Sequence, residues 1–461
     1  MICPRLAAGT SYIRVADVSW QMFNGQVRRF RWGVTGLVSV ILARSRVNGE
    51  VERVGVALRL CVPFRGWRGD CWPRIESVSN IAIVGTGYVA DLYMRSFKTF
   101  PSINVVKAFD IDRDRLNAFC RYWGVLPASS LEDVIAGSSR KVDLVLNLTN
   151  PSTHYSVSRL CLEADRPVYS EKPLATSMRE AFDLHALART KRLVIASAPC
   201  SFLGRAAQTA CRALRDGEIG KPLLVYAELD DDFVSQAPYK KWISESGAPW
   251  PYRDEFKVGC TLEHAGYYLT WLMAMFGSIK TVVACAAEVV SDKLPDAEPC
   301  APDYSSATLM FECGVVARLT CSIVAPHNHS LRIFGDRGVL EVRECWSNAA
   351  AVRIRRRHVV RRRLINSPFS RSVRLPEPTH PMVGRRGAAS MNFALGPVEV
   401  LAAIREGRPS RLNADFALHL NEVTLAIQNP GPVGAQTMTT TCPRIAPMPW
   451  AESANEASVA T

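Results

Sequence analysis

An apolar run, Ile81–Val84, passes directly into Gly85-Thr86-Gly87-Tyr88-Val89-Ala90, and no other stretch limits so sharply what this chain can fold into. A short strand that breaks at a glycine turn and continues as a helix opens a parallel βαβ unit. Gly85 permits the tight turn, Gly87 removes the Cβ that would obstruct a pyrophosphate, and the small Ala90 lets the helix settle against its strand. Phosphates would meet the turn and helix N-terminus at Thr86, Tyr88 and Val89, where free N–H groups and the dipole favour anions. The motif alone also marks ordinary strand turns, so its context decides. A second strand, Val105–Phe109, ends in Asp110, 25 positions after Gly85, near where an acid binds the hydroxyls of an adenosine ribose. That carboxylate repels a 2′-phosphate, and Ile111 follows it instead of an Arg or Ser, so the spacing favours NAD over NADP.

Further β-like runs at Leu144–Leu148, Pro167–Tyr169 and Val194–Ala196 alternate with helical stretches such as Leu116–Trp123 and Met178–Thr190. The alternation predicts an α/β fold, a doubly wound (Rossmann) parallel sheet over residues 79–200. Beyond it, a helix through Ala206–Arg215 leads into longer alternating runs: Leu223–Leu229, Thr281–Val290, Ala307–Phe311, Val315–Ile323, Leu331–Phe334 and Val339–Val342. These predict an α+β domain over 201–428 with an open, largely antiparallel sheet, whose helices Val398–Glu406 and Phe416–Gln428 return to the first domain. Residues 429–461, rich in Pro, Thr, Ala and Ser, are expected to form an extended or disordered tail.

The formal charge of +13 suggests a nucleic-acid or membrane partner until it is located. Residues 1–79 hold 12 Arg against 5 acids, and residues 343–374 hold 10 Arg against Glu344 alone, so the remainder is slightly acidic. The alternation Arg353, Arg355, Arg357 predicts one face of an exposed edge strand, and without interleaved aromatics the run gives no nucleic-acid interface. Residues 1–78 lack a sustained period of 3.6 or 2 and are expected to be a basic extension of little structure. Within it, Arg28-Arg29-Phe30-Arg31-Trp32 before the apolar run Gly33–Ala43 is a poor match to an export signal, and a cytoplasmic location is the expectation. Fourteen cysteines include no CxxC pair, so reduced thiols and no metal site are expected. No apolar run reaches 18 residues, and no membrane partner is expected.

Glu171-Lys172-Pro173 follows the strand Pro167–Tyr169, on the carboxyl edge of the parallel sheet where such folds bind ligands. A lysine there can offer a hydrogen bond or a proton to a substrate oxygen, Glu171 can hold the ammonium, and Pro173 can form a cis bond that directs the lysine inward. A solvated turn is the alternative for the tripeptide by itself.

The glycine turn and the EKP tripeptide together resemble the glucose–fructose oxidoreductase/inositol dehydrogenase (Gfo/Idh/MocA) family, over about residues 79–345 and again 390–428. Between them, Leu148-Thr149-Asn150-Pro151-Ser152-Thr153-His154 is similar to a family segment from which Asn150 and His154 would border the cofactor. Gly217–Pro222 and Phe334–Glu341 extend the similarity. The resemblance implies an NAD(P)-dependent oxidoreductase, with Gly85, Thr86, Gly87, Tyr88, Val89, Asp110, Asn150, His154, Glu171 and Lys172 around the cofactor and Lys172 also reaching a sugar, cyclitol or related polyol. A homodimer or homotetramer through the second-domain sheet is expected.

The chain departs from the family in the helix that usually carries an Asp and, four residues on, a His: Glu263 and Tyr267 take those positions. Spacing of four keeps both on one helical face, so Tyr267 could donate a phenolic proton with Glu263 or Lys172 tuning it. His264 is a neighbouring candidate about 100° away on a regular helix. The stretch Trp250–Phe256 could add aromatic and charged contacts to a polar substrate. The altered helix also leaves open a cofactor-binding protein of the same fold with a non-redox or regulatory role.

Overall fold

The computed structural model describes residues 18–23, 26–31, 78–136, 141–294 and 298–452. The chain divides into two compact units, Met1–Gly69 and Asp70–Thr461. In the first, strands β1 (Val18–Phe23) and β2 (Gln26–Arg31) form an antiparallel ribbon with Phe23 opposite Gln26. These two strands are the described part of the segment 1–77, expected to hold little structure, and the sequence between them, Asn24-Gly25, is of the type that favours a two-residue hairpin turn. The run Gly33–Ala43 lies outside the described residues.

The second unit begins with a six-stranded sheet in the order β5 (Leu126–Pro127), β4 (Ile103–Phe109), β3 (Ser79–Val84), β6 (Leu144–Asn147), β7 (Val168–Ser170), β8 (Ile195–Ser197), every pairing parallel. Burial on both faces explains the continuous apolar runs: Ile81, Ala82 and Ile83 of β3 are fully buried, as are Leu144, Val145 and Leu146 of β6. The chain runs outward from β3 to β4 and β5 and then returns to β6 on the other side of β3, so the strand order reverses there and a crevice opens at the carboxyl edge. Helices α1 (Tyr88–Phe97), α2 (Arg113–Trp123), α3 (Leu131–Ala136), α4 (His154–Glu163) and α5 (Met178–Lys191) make the crossovers. Asp112 caps α2 by accepting from the amides of Asp114 and Arg115, and Gly124 ends it in the left-handed conformation.

After α6 (Arg205–Arg215) the chain builds a second, mixed sheet around the long strand β9 (Pro222–Phe233). Val225, Ala227 and Leu229 of β9 are buried while Leu224, Tyr226 and Glu228 between them are not, the alternation of a sheet with one packed face. The order is β17-β16-β15-β14-β9-β12-β11-β10-β19, with β10 (Ile279–Ala287), β11 (Tyr304–Phe311), β12 (Val316–Ser322), β14 (Leu331–Gly335), β15 (Gly338–Val342), β16 (Val352–Val360), β17 (Arg363–Asn366) and β19 (Ala435–Thr437); β9 and β12 are parallel and the other neighbours antiparallel. Strand β13 (Val324–Asn328) pairs with the far end of β9. Helices α7 (Tyr252–Val258) and α8 (Gly266–Phe276) lie between β9 and β10 in sequence. Helix α9 (Leu395–Glu406) packs on β6 and β7, and α10 (Ala414–Gln428) touches α5 and β8 as well as β10 and β11, so the C-terminal helices bind the two sheets together. The segment Gly387–Glu406 has the length and apolarity of a membrane span, but 72 % of it is buried in this fold, as a core helix would be.

One expectation is corrected. The arginine strand β16 (Val352–Val360) is not the sheet edge: β15 pairs on one side, and β17 (Arg363–Asn366) and β18 (Arg371–Val373) on the other. Its arginines are partly spent internally, Arg356 with Arg371 on Glu218 and Arg355 on Glu341. The tail, expected to be extended or disordered, is extended over its described residues: β19 (Ala435–Thr437) adds to β10, and Cys442, Met448 and Trp450 are buried. Its backbone is tied down by side chains of the body, as Gln208 accepts from the Met448 amide and Arg411 donates to the Pro447 carbonyl. Trp450→Ala should therefore cost about 3 kcal/mol in urea unfolding, the scale of a buried Trp truncation. Val433→Ala, at a site 83 % exposed, should leave the midpoint unchanged.

Candidate active site

Strand β7 delivers its last residue, Ser170, to the carboxyl edge of the parallel sheet, and the chain turns there through Glu171, Lys172 and a cis Lys172–Pro173 bond. Helix α10 holds the outgoing backbone, because Asn421 accepts from the Ala175 amide at 3.1 Å. His154 braces the turn from behind. Its buried ring spans 2.7 Å to the Pro173 carbonyl and 2.9 Å to the Thr149 carbonyl, joining the ends of β6 and β7. Burial lowers its pKa against the pull of those carbonyls. Asn150 reaches across to the second domain, donating to Asp254 on α7 at 2.8 Å.

Glu171 does not hold the ammonium of Lys172, contrary to expectation. Its carboxylate accepts from the Tyr93 hydroxyl at 2.7 Å and from the Lys172 backbone amide at 3.0 Å. The ammonium is instead paired with Glu263, which arrives from the second domain. Glu263 and His264 lie in a π-helical turn, Thr261–Ala265, that runs straight into α8. Such a turn widens the helix and re-aims its side chains. Glu263, His264 and Tyr267 all line the same cavity as Lys172, including the histidine that a regular helix would have directed elsewhere.

The charges here are strongly coupled. Burial works to depress the Lys172 ammonium, and the negative groups around it, Glu263 first and then Glu255, more than reverse that and hold it above the ordinary lysine value. Glu255, within the stretch expected to add charged contacts, is pushed well above the usual carboxylate range by burial and then by Glu263, which favours its neutral form. Burial also raises the Tyr267 phenol. His264 is brought down to about 3 by burial, helped by the charge of Lys172 and by His329. At neutral pH the imidazole and the phenol are both uncharged, and the ammonium carries the positive charge.

The cavity measures about 690 Å³ and extends from Gly85, Gly87, Tyr88, Val89 and Asp110 to Lys172 and Tyr267. Gly85 has φ of +93°, and a Cβ on it would lie 2.5 Å from the Leu148 carbonyl oxygen, so only glycine lets β3 and β6 approach as they do. Gly87 is different: a Cβ there would meet nothing within 4 Å, so its side opens on unfilled space beside the start of α1. No side chain caps that helix, and its first amides are left for a ligand. These features fit a dinucleotide pyrophosphate.

Asp110, 4 % exposed, is already satisfied. It accepts from the Thr86 amide at 2.8 Å, the Thr86 hydroxyl at 2.9 Å, the Asp112 amide at 2.9 Å, and Arg115 Nε and Nη2 at 3.0 and 2.6 Å. Burial would raise its pKa, but Arg115 and the two amides hold it below the usual carboxylate value. Ile111 directly follows this acid, but an arginine reaches it from five residues on: Arg115, in the first turn of α2, lines the cavity. Around the cavity's other end stand Trp242, Trp250, Tyr252, Asp254 and Trp346, so part of the Trp250–Phe256 stretch does face it.

A crevice of this kind, with a glycine turn at one end and a charge-paired lysine at the other, defines a nicotinamide-dinucleotide-dependent dehydrogenase by class. Residues 79–198 match the oxidoreductase family with an NAD-binding Rossmann fold, and residues 207–341 match the GFO/IDH/MocA C-terminal domain, so the chain belongs to the Gfo/Idh/MocA family. It is 23 % identical over 267 residues to trans-1,2-dihydrobenzene-1,2-diol dehydrogenase of Mus musculus, covering 58 % of this chain and 74 % of that one. Among solved structures, an inositol dehydrogenase homologue from Azotobacter vinelandii complexed with NADH and myo-inositol superposes with a TM-score of 0.62 at 17 % identity, over 80 % of this chain and 99 % of that one. A 3-ketoreductase from Actinomadura kijaniata in complex with NADP gives 0.58 at 17 % identity, over 76 % and 97 %.

If Glu263 sustains the ammonium, Glu263→Gln should lower the Lys172 pKa, because burial then acts with less opposition. The basic limb of the kcat/KM profile should move to lower pH by about one unit or more. Glu255→Gln, replacing the second and weaker of the two contributors, should move it less.

Proposed function

We propose that this protein is a nicotinamide-dependent dehydrogenase that oxidises a secondary hydroxyl of a sugar, cyclitol or related polyol, or reduces the corresponding ketone. The observation that carries the reading is the Lys172–Glu263 ion pair, buried in the same cavity as the open side of Gly87. Nicotinamide, when bound, supplies the hydride acceptor or donor. In the oxidising direction the substrate carbon gives up its hydride and its hydroxyl oxygen gives up a proton. Lys172 receives that proton as it passes its own to Glu263, so the ammonium stays charged and the carboxylate ends protonated. Tyr267, held in its protonated form, donates a hydrogen bond to the same oxygen. Asp254 and Glu255 accept from the remaining substrate hydroxyls, and Trp250, Tyr252 and Trp346 cover the apolar faces of the ring.

Lys172→Ala should lower turnover at least about a hundredfold with NAD binding retained, the usual cost of removing a positioned proton donor. Tyr267→Phe keeps the ring and its edge contact with Trp346, centroids 6.0 Å apart, and should lower kcat with little change in melting temperature. Full activity in Tyr267→Phe together with a dead His264→Ala would transfer the role to the histidine.

For the cofactor, we propose that NAD binds with Asp110 on its adenosine ribose and that Arg115 is the second determinant. Asp110 has no free lone pair while Arg115 is bidentate on it, so binding either ribose requires Arg115 to turn outward. Released, the guanidinium faces the position of a 2′-phosphate and admits NADP as well. Calorimetry with NADH and NADPH should show NADH bound more tightly by the wild type. Arg115→Ala should widen that preference about tenfold, and Asp110→Ser should narrow or invert it. Tighter NADPH binding by the wild type would remove Asp110 from the role.

A further inference from the structure

Behind His264, on the side away from the glycine turn, the two strands β9 and β13 bring together side chains that the dehydrogenase reading does not use. Asp231 lies near the end of β9, and β13 pairs antiparallel with this end, Ala325 opposite Asp232 and Asn328 opposite Asp230. His327 is on β13 and His329 follows it, two positions on, so extended backbone directs both rings the same way. One donor atom from each of Asp231, His327 and His329 lies within 4.8 Å of the others, and His327 Nδ1 is 3.8 Å from Asp231 Oδ1. Ligand atoms on a tetrahedral ion with bonds of about 2.0–2.1 Å stand about 3.4 Å apart, so the group needs to contract by little more than an ångström.

Glu344 fixes which ring nitrogens are free. One of its oxygens is 3.1 Å from His327 Nε2 and the other 3.0 Å from His329 Nδ1, and the Trp346 amide donates to it at 2.9 Å. A carboxylate only accepts, so those two ring nitrogens carry the hydrogens, and His327 Nδ1 and His329 Nε2 keep lone pairs. A carboxylate behind each imidazole is the outer support that metal-binding histidines carry. His329 is 1 % exposed, and its Nε2 is buried without a hydrogen-bond partner. The same is true of His264 Nδ1, which lies 3.6 Å from Asp231 Oδ2. Two buried nitrogens left unpaired beside one carboxylate cost stability unless something accepts their lone pairs.

We propose that Asp231, His327 and His329 bind one divalent transition-metal ion of the zinc type, with Glu344 orienting both imidazoles and His264 available as a fourth donor. Two imidazoles and a carboxylate suit zinc or a similar borderline ion and not magnesium or calcium, which take oxygen ligands. Asp231 and His264 also line the cavity that holds Lys172, so an open position on the ion faces the substrate end and takes a water or a substrate oxygen. The site stands independently of the dehydrogenase reading: it follows from donor atoms alone, and its test measures bound metal.

The full-length protein, stripped with a chelator and freed of any histidine tag, is titrated with Zn(II) and, separately, Co(II). One equivalent per chain is expected, with visible ligand-field bands for Co(II) and a melting temperature that rises with metal. His327→Ala, at a partly exposed position where the fold should tolerate truncation, should abolish the bands and weaken Zn(II) binding at least about a hundredfold, and Glu344→Gln should weaken it about ten- to hundredfold. Asp231→Asn should behave like His327→Ala; if it does not fold, His327→Ala alone decides. Less than one equivalent in the wild type, binding undiminished in His327→Ala, or thiolate charge-transfer bands showing the ion on cysteine (Cys345 Sγ is 3.8 Å from His329 Nδ1) would each overturn the proposal.

Discussion

Bringing an ammonium out of water costs several kcal/mol unless a counter-charge comes with it, and in this chain the counter-charge comes from a different domain. Lys172 stands at the end of β7 and Glu263 in the turn before α8, 91 residues apart. Each would be an uncompensated buried charge without the other, so the ion pair requires the two sheets to be docked as they are. The features around it serve that alignment. His154 spans the two strand ends, Asn421 holds the chain after Pro173, and α10 lies against both sheets. An approach of the domains that lost the pair would leave the lysine facing Glu255 and Glu171, each otherwise engaged or biased to neutrality.

The cofactor end obeys a different constraint, steric before it is electrostatic. Gly85 is needed because β3 and β6 approach too closely for a Cβ, whereas Gly87 is needed for what comes from outside. The two glycines of one motif thus do separate work, and only the second concerns a ligand. Asp110 completes the turn by accepting from the Thr86 amide and hydroxyl, so the acid expected for a ribose is first a structural group that shapes the loop. Removing its charge would loosen the turn as well as the ribose contact.

The parallel sheet was legible because both of its faces are buried, which writes β3 and β6 into the sequence as unbroken apolar runs, and the alternation of β9 was legible because one face is not. The EKP turn and the Glu263–Tyr267 spacing were legible as local patterns. What stayed hidden was whatever distance in sequence conceals. Glu171 was expected to hold its neighbour's ammonium, yet Glu263 does so across the domain junction. Arg115 was missed because its claim on Asp110 depends on the turn of α2 bringing it back five residues later. Strand β17 is exposed at every position and has no alternation to announce it, so β16 passed for an edge. The tail's Pro- and Thr-rich composition left open whether it would be extended or disordered, and three well-spaced apolar residues, Cys442, Met448 and Trp450, are the ones that anchor it.

Tyr267 stands where the resemblance implies a histidine, and its burial has a physical consequence for how protons move. A phenol whose pKa burial has raised gives up its proton poorly, and His264, its pKa depressed by burial and by Lys172, has none to give at neutral pH. The ammonium is left as the charged donor of the cavity, and its proton can leave only toward a carboxylate. Glu263 is in contact with it, while Glu255 beside them is biased toward already holding a proton. On the widened turn Glu263 reaches the lysine directly, so in the proposed function the acid–base work rests on an ion pair between domains.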